Sequence, residues 1–524
     1  MACPLTGGWL PFGSRQAEDP IEPGTTTSRP RHSPWRRPVS VLGRVSAAIG
    51  CAALTVLAQA VPVTPVAAED DAADCAAERA TRYVVLFDRG TPEDDAGTRA
   101  RDACGDLTGY YPEIAVGVVT SADPRFTDRM GPGRAFSAQA ERRAAGGAGN
   151  ATSPRGERSV PVSSTRATLD PTDPGAIPAT DRTDEQWDMA MIGADRARAV
   201  SGGSADVVVG VLDSGIDARH PDLADAVEPA LSAGCLSGVP DTTEDAWAPT
   251  TSVHGTHVAG TIAAADDGAG VTGVAPGVRL ASVKVIDDRG RVDPEAVVCG
   301  LMWAARKGFA ITNSSFAVEP WALSCAQTEQ REVVREALAR ATSYATSAGV
   351  LNVAAATNES VNLSPSPEGR ATARSSGCDS LPAGLRDVVA VSAVDDGGVK
   401  AGYSSYGLGV VGLAAPGGDS GRCVLSTVPG GYDSLCGTSM AAPHVSGVAA
   451  LLASARPDRG VRELRTALER QADPISCPTD YDLTGDGTQD AYCAGYTAYN
   501  GFYGHGMVDA LAAVRGGTVT SAAG

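Results

Sequence analysis

From about position 184 onward the chain alternates between short, nearly continuous apolar runs and longer stretches in which apolar residues recur at helical spacing. The runs are DVVVGVLD at 206–213, RLASVKVI at 279–286, AITNSSF at 310–316, GVLNVAAA at 349–356 and DVVAVSAV at 387–394. Between two of them, PEAVVCGLMWAARKG at 294–308 reads as a helix. Strands that are apolar on both faces and separated by helices predict a three-layer α/β fold, a mostly parallel sheet with helices on both sides. In such sheets, functional groups collect at the carboxyl ends of the strands.

A smaller pattern precedes this one. RYVVLF at 82–87, a polar helical stretch at 93–104 and IAVGVV at 114–119 predict a small α/β module over 75–144. Residues 145–183 are rich in Gly, Ser, Thr, Pro and Arg and contain GGAGNATSPRGERS. Such a composition buries too little apolar surface to order itself, so this stretch is read as a linker and a place where proteases cut. The main α/β unit then covers 184–515, with a tail at 516–524.

Residues 1–60 read as an export signal. Arg29, Arg31, Arg36, Arg37 and Arg44 precede an apolar run at 45–57, and AQA at 58–60 has the small-x-small form of a cleavage site. The run is too short to span a bilayer comfortably. No other stretch is long and apolar enough to cross a bilayer, which predicts a secreted, extracellular product with no membrane association once the signal is removed.

Composition narrows the possibilities. A length of 524 residues implies more than one folding unit, and 43% apolar residues exclude wholesale disorder. The formal net charge of -19 argues against a nucleic-acid partner, which calls for a basic face. Of twelve cysteines, Cys3 and Cys51 fall in the signal and Cys75 and Cys104 in the small module, leaving eight in the main unit. Both remaining groups are even in number and none has the CxxC spacing of a zinc site, so disulfides are expected. Cys423 with Cys436 and Cys477 with Cys493 are the short-loop candidates.

Three segments become informative when taken together. GVLDSGID puts Asp213 at the carboxyl end of a buried strand, VHGTHVAGTIA puts His254 and His257 at the start of an apolar helix, and GTSMAAPHVSGVAALLASA puts Ser439 at the mouth of a helix apolar on nearly all sides. Singly, each has an ordinary reading: a turn-capping aspartate, polar helix residues or a metal pair, and an N-cap serine. The HxxH spacing lacks the glutamate of a zinc peptidase. His444, five residues after Ser439, points away from it at about 3.6 residues per turn and is excluded as its base.

With their flanks, HPDL at 220–223 among them, these segments resemble the subtilisin-like serine proteases, whose chain order is Asp, His, Ser. The resemblance runs from about 185 to 514 and implies a secreted serine endopeptidase working through an acyl-enzyme on protein or peptide substrates. Ser439 would be the nucleophile, His254 the general base and Asp213 its orienting carboxylate. AAATNES implies Asn358 as side-chain donor to the oxyanion, beside the Ser439 N–H. Thr357 stands where the family carries glycine, which would narrow the specificity pocket. Ser315, Phe316 and Ala317 align with the pocket wall, and Gly290, within 289–292, with an edge that pairs an extended substrate by β-addition. Glu359 at the rim suggests a preference for a basic side chain.

The chemistry needs no cofactor. The family's structural calcium site would draw on Asp222 and Asp267, and DLTGDGTQD at 482–490 resembles an EF-hand loop with Cys493 where the glutamate belongs. The module at 75–144 resembles the family's inhibitory propeptide, which would make the chain a zymogen, blocked by its own propeptide and otherwise monomeric. GGDSGR carries the GDSG of trypsin-like enzymes at Ser420, but the β-barrel pattern that fold requires is missing. The alternatives are a dedicated mycosin-like maturation protease and a catalytically silent subtilase fold used for binding.

Overall fold

In the computed structural model, the segment Val208–Asp213 forms the strand from which the large sheet grows in both directions. On one side it pairs with Ile311–Ser314, then Leu351–Ala355, Val388–Val394 and Val411–Pro416; on the other with Arg279–Lys284 and Ala233–Gly234. All of these pairings are parallel, so the seven-stranded sheet matches the expected layering. The structure describes Cys75 and residues 79–147, 180–320, 328–365, 378–419 and 421–515. The proposed signal, most of the linker, the tail, Ser420 and Cys325 lie outside the described residues.

The strands are apolar on both faces because both faces are covered. Val209, Val211 and Leu413 pack into a core with the helices His254–Ala263 and Thr438–Ala455. Val208, Leu212 and Val283 pack on the opposite side with Pro294–Lys307 and Glu329–Ser347. Two strands of the sheet were not among the expected runs. Val411–Pro416 is only six residues with a glycine and a proline, and Ala233–Gly234 is two residues long. Neither carries enough periodicity to stand out.

The N-terminal module forms a four-stranded antiparallel sheet, Gly105–Tyr111, Val116–Ser121, Thr81–Leu86 and Ala135–Phe136 in spatial order. One face packs through Tyr83, Val85 and Phe87 against Ala96 and Ala100 of the helix Glu93–Asp102. The other contributes Val84, Leu86, Tyr111 and Phe136 to the core that holds Val297, Leu301 and Val334 of the large unit. The Tyr111 hydroxyl donates to the Gly238 carbonyl at 2.7 Å, and Arg340 of the long helix donates to the Phe87 and Ile114 carbonyls. The last module helix, Ala138–Gly147, runs three residues past the expected boundary at 144. Residues 180–182, expected as linker, are tied to the large unit through Gly270, whose N–H donates to Thr180 and whose carbonyl accepts from Arg182.

Disulfides join Cys75 to Cys104, Cys235 to Cys299, Cys423 to Cys436 and Cys477 to Cys493, and Cys378 is also disulfide-bonded. Both short-loop candidates are therefore present. Each closed loop removes conformational freedom from the unfolded chain, a contribution of about 2–4 kcal/mol. Cys493 is thus unavailable to the EF-hand-like loop. There the Asp482 carboxylate turns inward and accepts the amides of Gly485, Asp486 and Gly487, a self-capped turn.

Candidate active site

Asp213 ends its strand, and residue pairing sets Leu212 opposite Ser314, so Asp213 and Ser315 emerge side by side at the carboxyl edge of the sheet. One strand further on, Leu351–Ala355 delivers Asn358 to the same edge. Asp213 is fully buried; its Oδ1 accepts the Ser214 amide at 2.7 Å. His254 opens its helix, and its Nδ1 lies 2.8 Å from Asp213 Oδ1 and 3.0 Å from Oδ2. This contact fixes which ring nitrogen carries the proton and how the ring is turned. The approach requires Gly255: a Cβ there would collide with the Gly215 carbonyl and sit 3.1 Å from Asp213 Oδ1. The Gly255 amide donates to Ser214 Oγ at 3.0 Å and locks the helix start to the strand end.

Ser439 is the second residue of the helix Thr438–Ala455 and is 4% exposed. Its Oγ lies 3.2 Å from the Ser315 carbonyl. The helix contains Pro443, which has no N–H to give the carbonyl four residues earlier, that of Ser439. Ser315 Oγ takes that acceptor instead, at 2.8 Å, and itself accepts from Asn313 Nδ2. Ser315, expected in the pocket wall, is thus buried beneath Ser439 as a brace for the broken first turn. Phe316 is likewise buried in the core beside Val318 and Val333, which leaves Ala317 as the partly exposed member of that trio.

Asn358 Oδ1 accepts both the Thr438 amide at 2.9 Å and the Thr438 hydroxyl at 2.8 Å. Its Nδ2 is therefore turned the other way, toward Gly437, where a Cβ would lie 3.3 Å from it. Thr438 was missed by sequence reasoning, although it stands next to the serine. Thr357 does not enter the groove with its hydroxyl; it donates to Ser405 Oγ at 2.9 Å.

The remaining expected residues fall differently. His257 is fully buried with Nε2 3.0 Å from the Val424 carbonyl, and burial drives its pKa down to about 3, so it is a neutral structural residue. Gly290 lies in a turn, at φ +73°, closed by its amide on the Asp287 carbonyl. The expected pairing edge is here a turn rather than a strand: the Arg291 carbonyl accepts from Asp287, the Val292 carbonyl from Glu319, and the Arg291 side chain is held by Asp287. Glu359 is exposed.

Asp222 is buried, and both its carboxylate oxygens lie 3.0 Å from the Tyr432 hydroxyl, while Oδ2 also accepts the Val271 amide. Burial raises its pKa, with the nearby Asp267 charge adding to the rise. Asp267 is exposed, and its Oδ1 accepts the Ala269 amide of its own loop. Calcium takes six to eight oxygens in its shell. The Asp222 carboxylate is already engaged by a hydroxyl and an amide, and with Asp267 it supplies only part of such a shell.

Residues 204–506 match the model of the subtilase family, peptidase S8, which is more than half of the chain. The chain belongs to the subtilase family. It is a serine-type endopeptidase by that membership. This subtilase is 35% identical to subtilisin DY of Bacillus licheniformis over 287 residues, covering 55% of this chain and 90% of the relative. To subtilisin Savinase of Lederbergia lenta it is 34% identical over 309 residues, covering 59% and 97%. Among solved structures, a lanthipeptide protease superposes with a TM-score of 0.51 at 25% identity, covering 65% of this chain and 99% of that one. The epidermin leader peptide processing serine protease of Staphylococcus aureus gives 0.56 at 18% identity, over 83% and 98%, a likeness of fold. Among the described residues, no helix of this subtilase is long and apolar enough to cross a membrane.

Proposed function

We propose that the chain is a secreted serine endopeptidase, made as a zymogen, in which Ser439 attacks the substrate carbonyl. His254 takes the Ser439 proton and returns it to the leaving amine, while Asp213 holds the imidazole and balances its charge. The tetrahedral oxyanion is met by Asn358 Nδ2 and the Ser439 amide, the latter at a helix N-terminus whose field favours negative charge. The acyl-enzyme is then released by water through the same steps in reverse order. The observation that carries the reading is the Asp213–His254 contact at 2.8 Å, set at the carboxyl edge of the sheet where Ser439 and Asn358 also arrive.

The zymogen reading is supported by the ion pairs that hold the module to the large unit. Arg142 reaches Asp293 at 2.8 Å and Glu319 at 3.6 Å, and Arg82 reaches the buried Glu295 at 3.4 Å. These pairs join the module to residues just after the Gly290 turn, which the family resemblance sets beside the substrate. Structural calcium at Asp222 and Asp267 would share the Asp222 carboxylate with the Tyr432 hydroxyl, and no chemical step depends on it.

The test is Ser439→Ala. Hydrolysis of casein and of a chromogenic peptide should fall by about a million-fold, the scale seen when subtilisin loses its nucleophile. Labelling by a serine-directed phosphonate should disappear with it, and the variant should retain its N-terminal module covalently attached. Undiminished hydrolysis by the variant would overturn the assignment.

A further inference from the structure

The loop that carries Asn358 is held in an unusual backbone conformation. Thr357, immediately before it, has φ +83°, and Ser360, two residues after it, has φ +55°. Positive φ is rare for any residue with a Cβ and is a clear outlier for a β-branched one, costing on the order of 1–3 kcal/mol. Thr357 is buried, at 8% exposure. Both outliers are bonded to one neighbouring segment, Gly402 to Tyr406. Thr357 Oγ1 donates to Ser405 Oγ at 2.9 Å, and the Ser405 amide donates to the Thr357 carbonyl at 2.9 Å. Ser360 donates through its amide to Tyr403 and through its hydroxyl to Gly402, and the Val361 amide reaches Ser405 Oγ at 3.3 Å.

We propose that Thr357 is a positioning residue: its bond to Ser405 holds the strained backbone that aims the Asn358 carboxamide at the oxyanion. This rests on the reading of Asn358 as oxyanion donor given above. The division of labour follows from the contacts. Thr438 anchors Asn358 Oδ1 from the serine helix, and the clamp of Thr357 on Ser405 fixes the backbone from which the side chain springs. Together they restrict the two side-chain rotations that carry Nδ2. Glycine would adopt φ +83° without strain, but it would also adopt many other conformations and has no hydroxyl to engage Ser405. A threonine in this place exchanges backbone ease for a second point of attachment. Displacement of a catalytic donor by about 1 Å costs up to roughly 10²-fold in rate.

The experiment compares Thr357→Gly, Thr357→Ser, Ser405→Ala, Asn358→Ala and the Thr357→Gly/Asn358→Ala pair in the full chain. Each is normalised by active-site titration so that folding yield drops out. Thr357→Gly and Ser405→Ala should each lower kcat on the order of ten-fold with KM within two-fold, a fraction of the roughly 10²–10³ lost when this donor is removed from subtilisin. Thr357→Ser, which keeps the hydroxyl, should stay within about three-fold of the parent. Thr357→Gly should not lower Tm, because glycine relieves the strained φ. In the Asn358→Ala background, Thr357→Gly should have no further effect on kcat. If Asn358→Ala lowers kcat but Thr357→Gly leaves it within two-fold of the parent, the positioning role is wrong while the donor reading survives. If Asn358→Ala itself leaves kcat unchanged, both are overturned.

Discussion

Among the described residues, two aspartate–histidine pairs are of nearly equal length and lie in very different surroundings. Asp213 and His254 meet at 2.8 Å with the His254 side chain 20% exposed; Asp188 and His444 meet at 2.9 Å with both side chains fully buried. His254 gives Nδ1 to its aspartate. His444 gives Nε2 to Asp188 and Nδ1 to the Met440 carbonyl, so both ring nitrogens are taken inside the core. The contact of carboxylate with imidazole is therefore not what makes a base. A base must keep a nitrogen in reach of a reacting proton and an open path for substrate. The buried pair instead ties the serine helix to the short helix Trp187–Met191.

The largest expected effect separates the two pairs. Asp213→Asn should lower kcat by roughly 10⁴, the scale for this change in a serine-protease triad, with little change in Tm, because shape is kept while the favoured tautomer is lost. Asp188→Asn should do the opposite. Weakening a fully buried hydrogen bond to a charged group costs about 1.5–3 kcal/mol of stability, readable as a lower denaturant midpoint, while kcat per titrated site stays within a few-fold. Replacing both members by apolar residues, Asp188→Leu with His444→Met, should recover most of that loss, since a buried pair balances a large desolvation cost. A rate loss in fully folded Asp188→Asn comparable to that of Asp213→Asn would erase the distinction.

The same contrast explains how much of the site could be read from sequence. The strands around Asp213 and the helices around His254 and Ser439 were legible because burial on both faces writes a continuous apolar signal, interrupted only where chemistry demands a polar residue. His444 could be excluded as the base from helix geometry alone, but its true partner Asp188 lies 256 positions away and has no local mark. Ser315 and Phe316 look like wall residues in sequence; in the fold, Pro443 removes a helix bond and draws Ser315 beneath Ser439. Thr357 reads as added bulk until its partner Ser405, 48 positions away, is seen. Apart from the apolar burial of Phe316, what sequence withheld is a long-range polar contact, since spacing along the chain constrains only neighbours.

Lys400 gives the smallest expected effect on rate and extends the contrast to a buried cation. It is 1% exposed, donates to the Ala401 and Ser404 carbonyls at 2.9 and 2.7 Å, and sits over the rings of Tyr406, Tyr481 and Phe502 at 5.1–5.4 Å. The carbonyls and ring faces favour the ammonium, whereas burial disfavours it; burial wins and brings the pKa down to about 7, with Asp419 and Asp490 opposing the fall. In the unfolded chain the same group titrates near about 10.4. Between these values the unfolded state binds more protons than the folded one, so stability should rise with pH from about 7 to about 10, by at most roughly 1.4 kcal/mol per pH unit. Lys400→Met should flatten that rise in a series of urea midpoints. Its kcat should fall by less than that of Ser405→Ala, because the lysine holds the Ser404 carbonyl next to the Thr357–Ser405 clamp and takes no part in the clamp itself. An unchanged slope in Lys400→Met would mean that the ring faces and carbonyls, not burial, set the state of this charge.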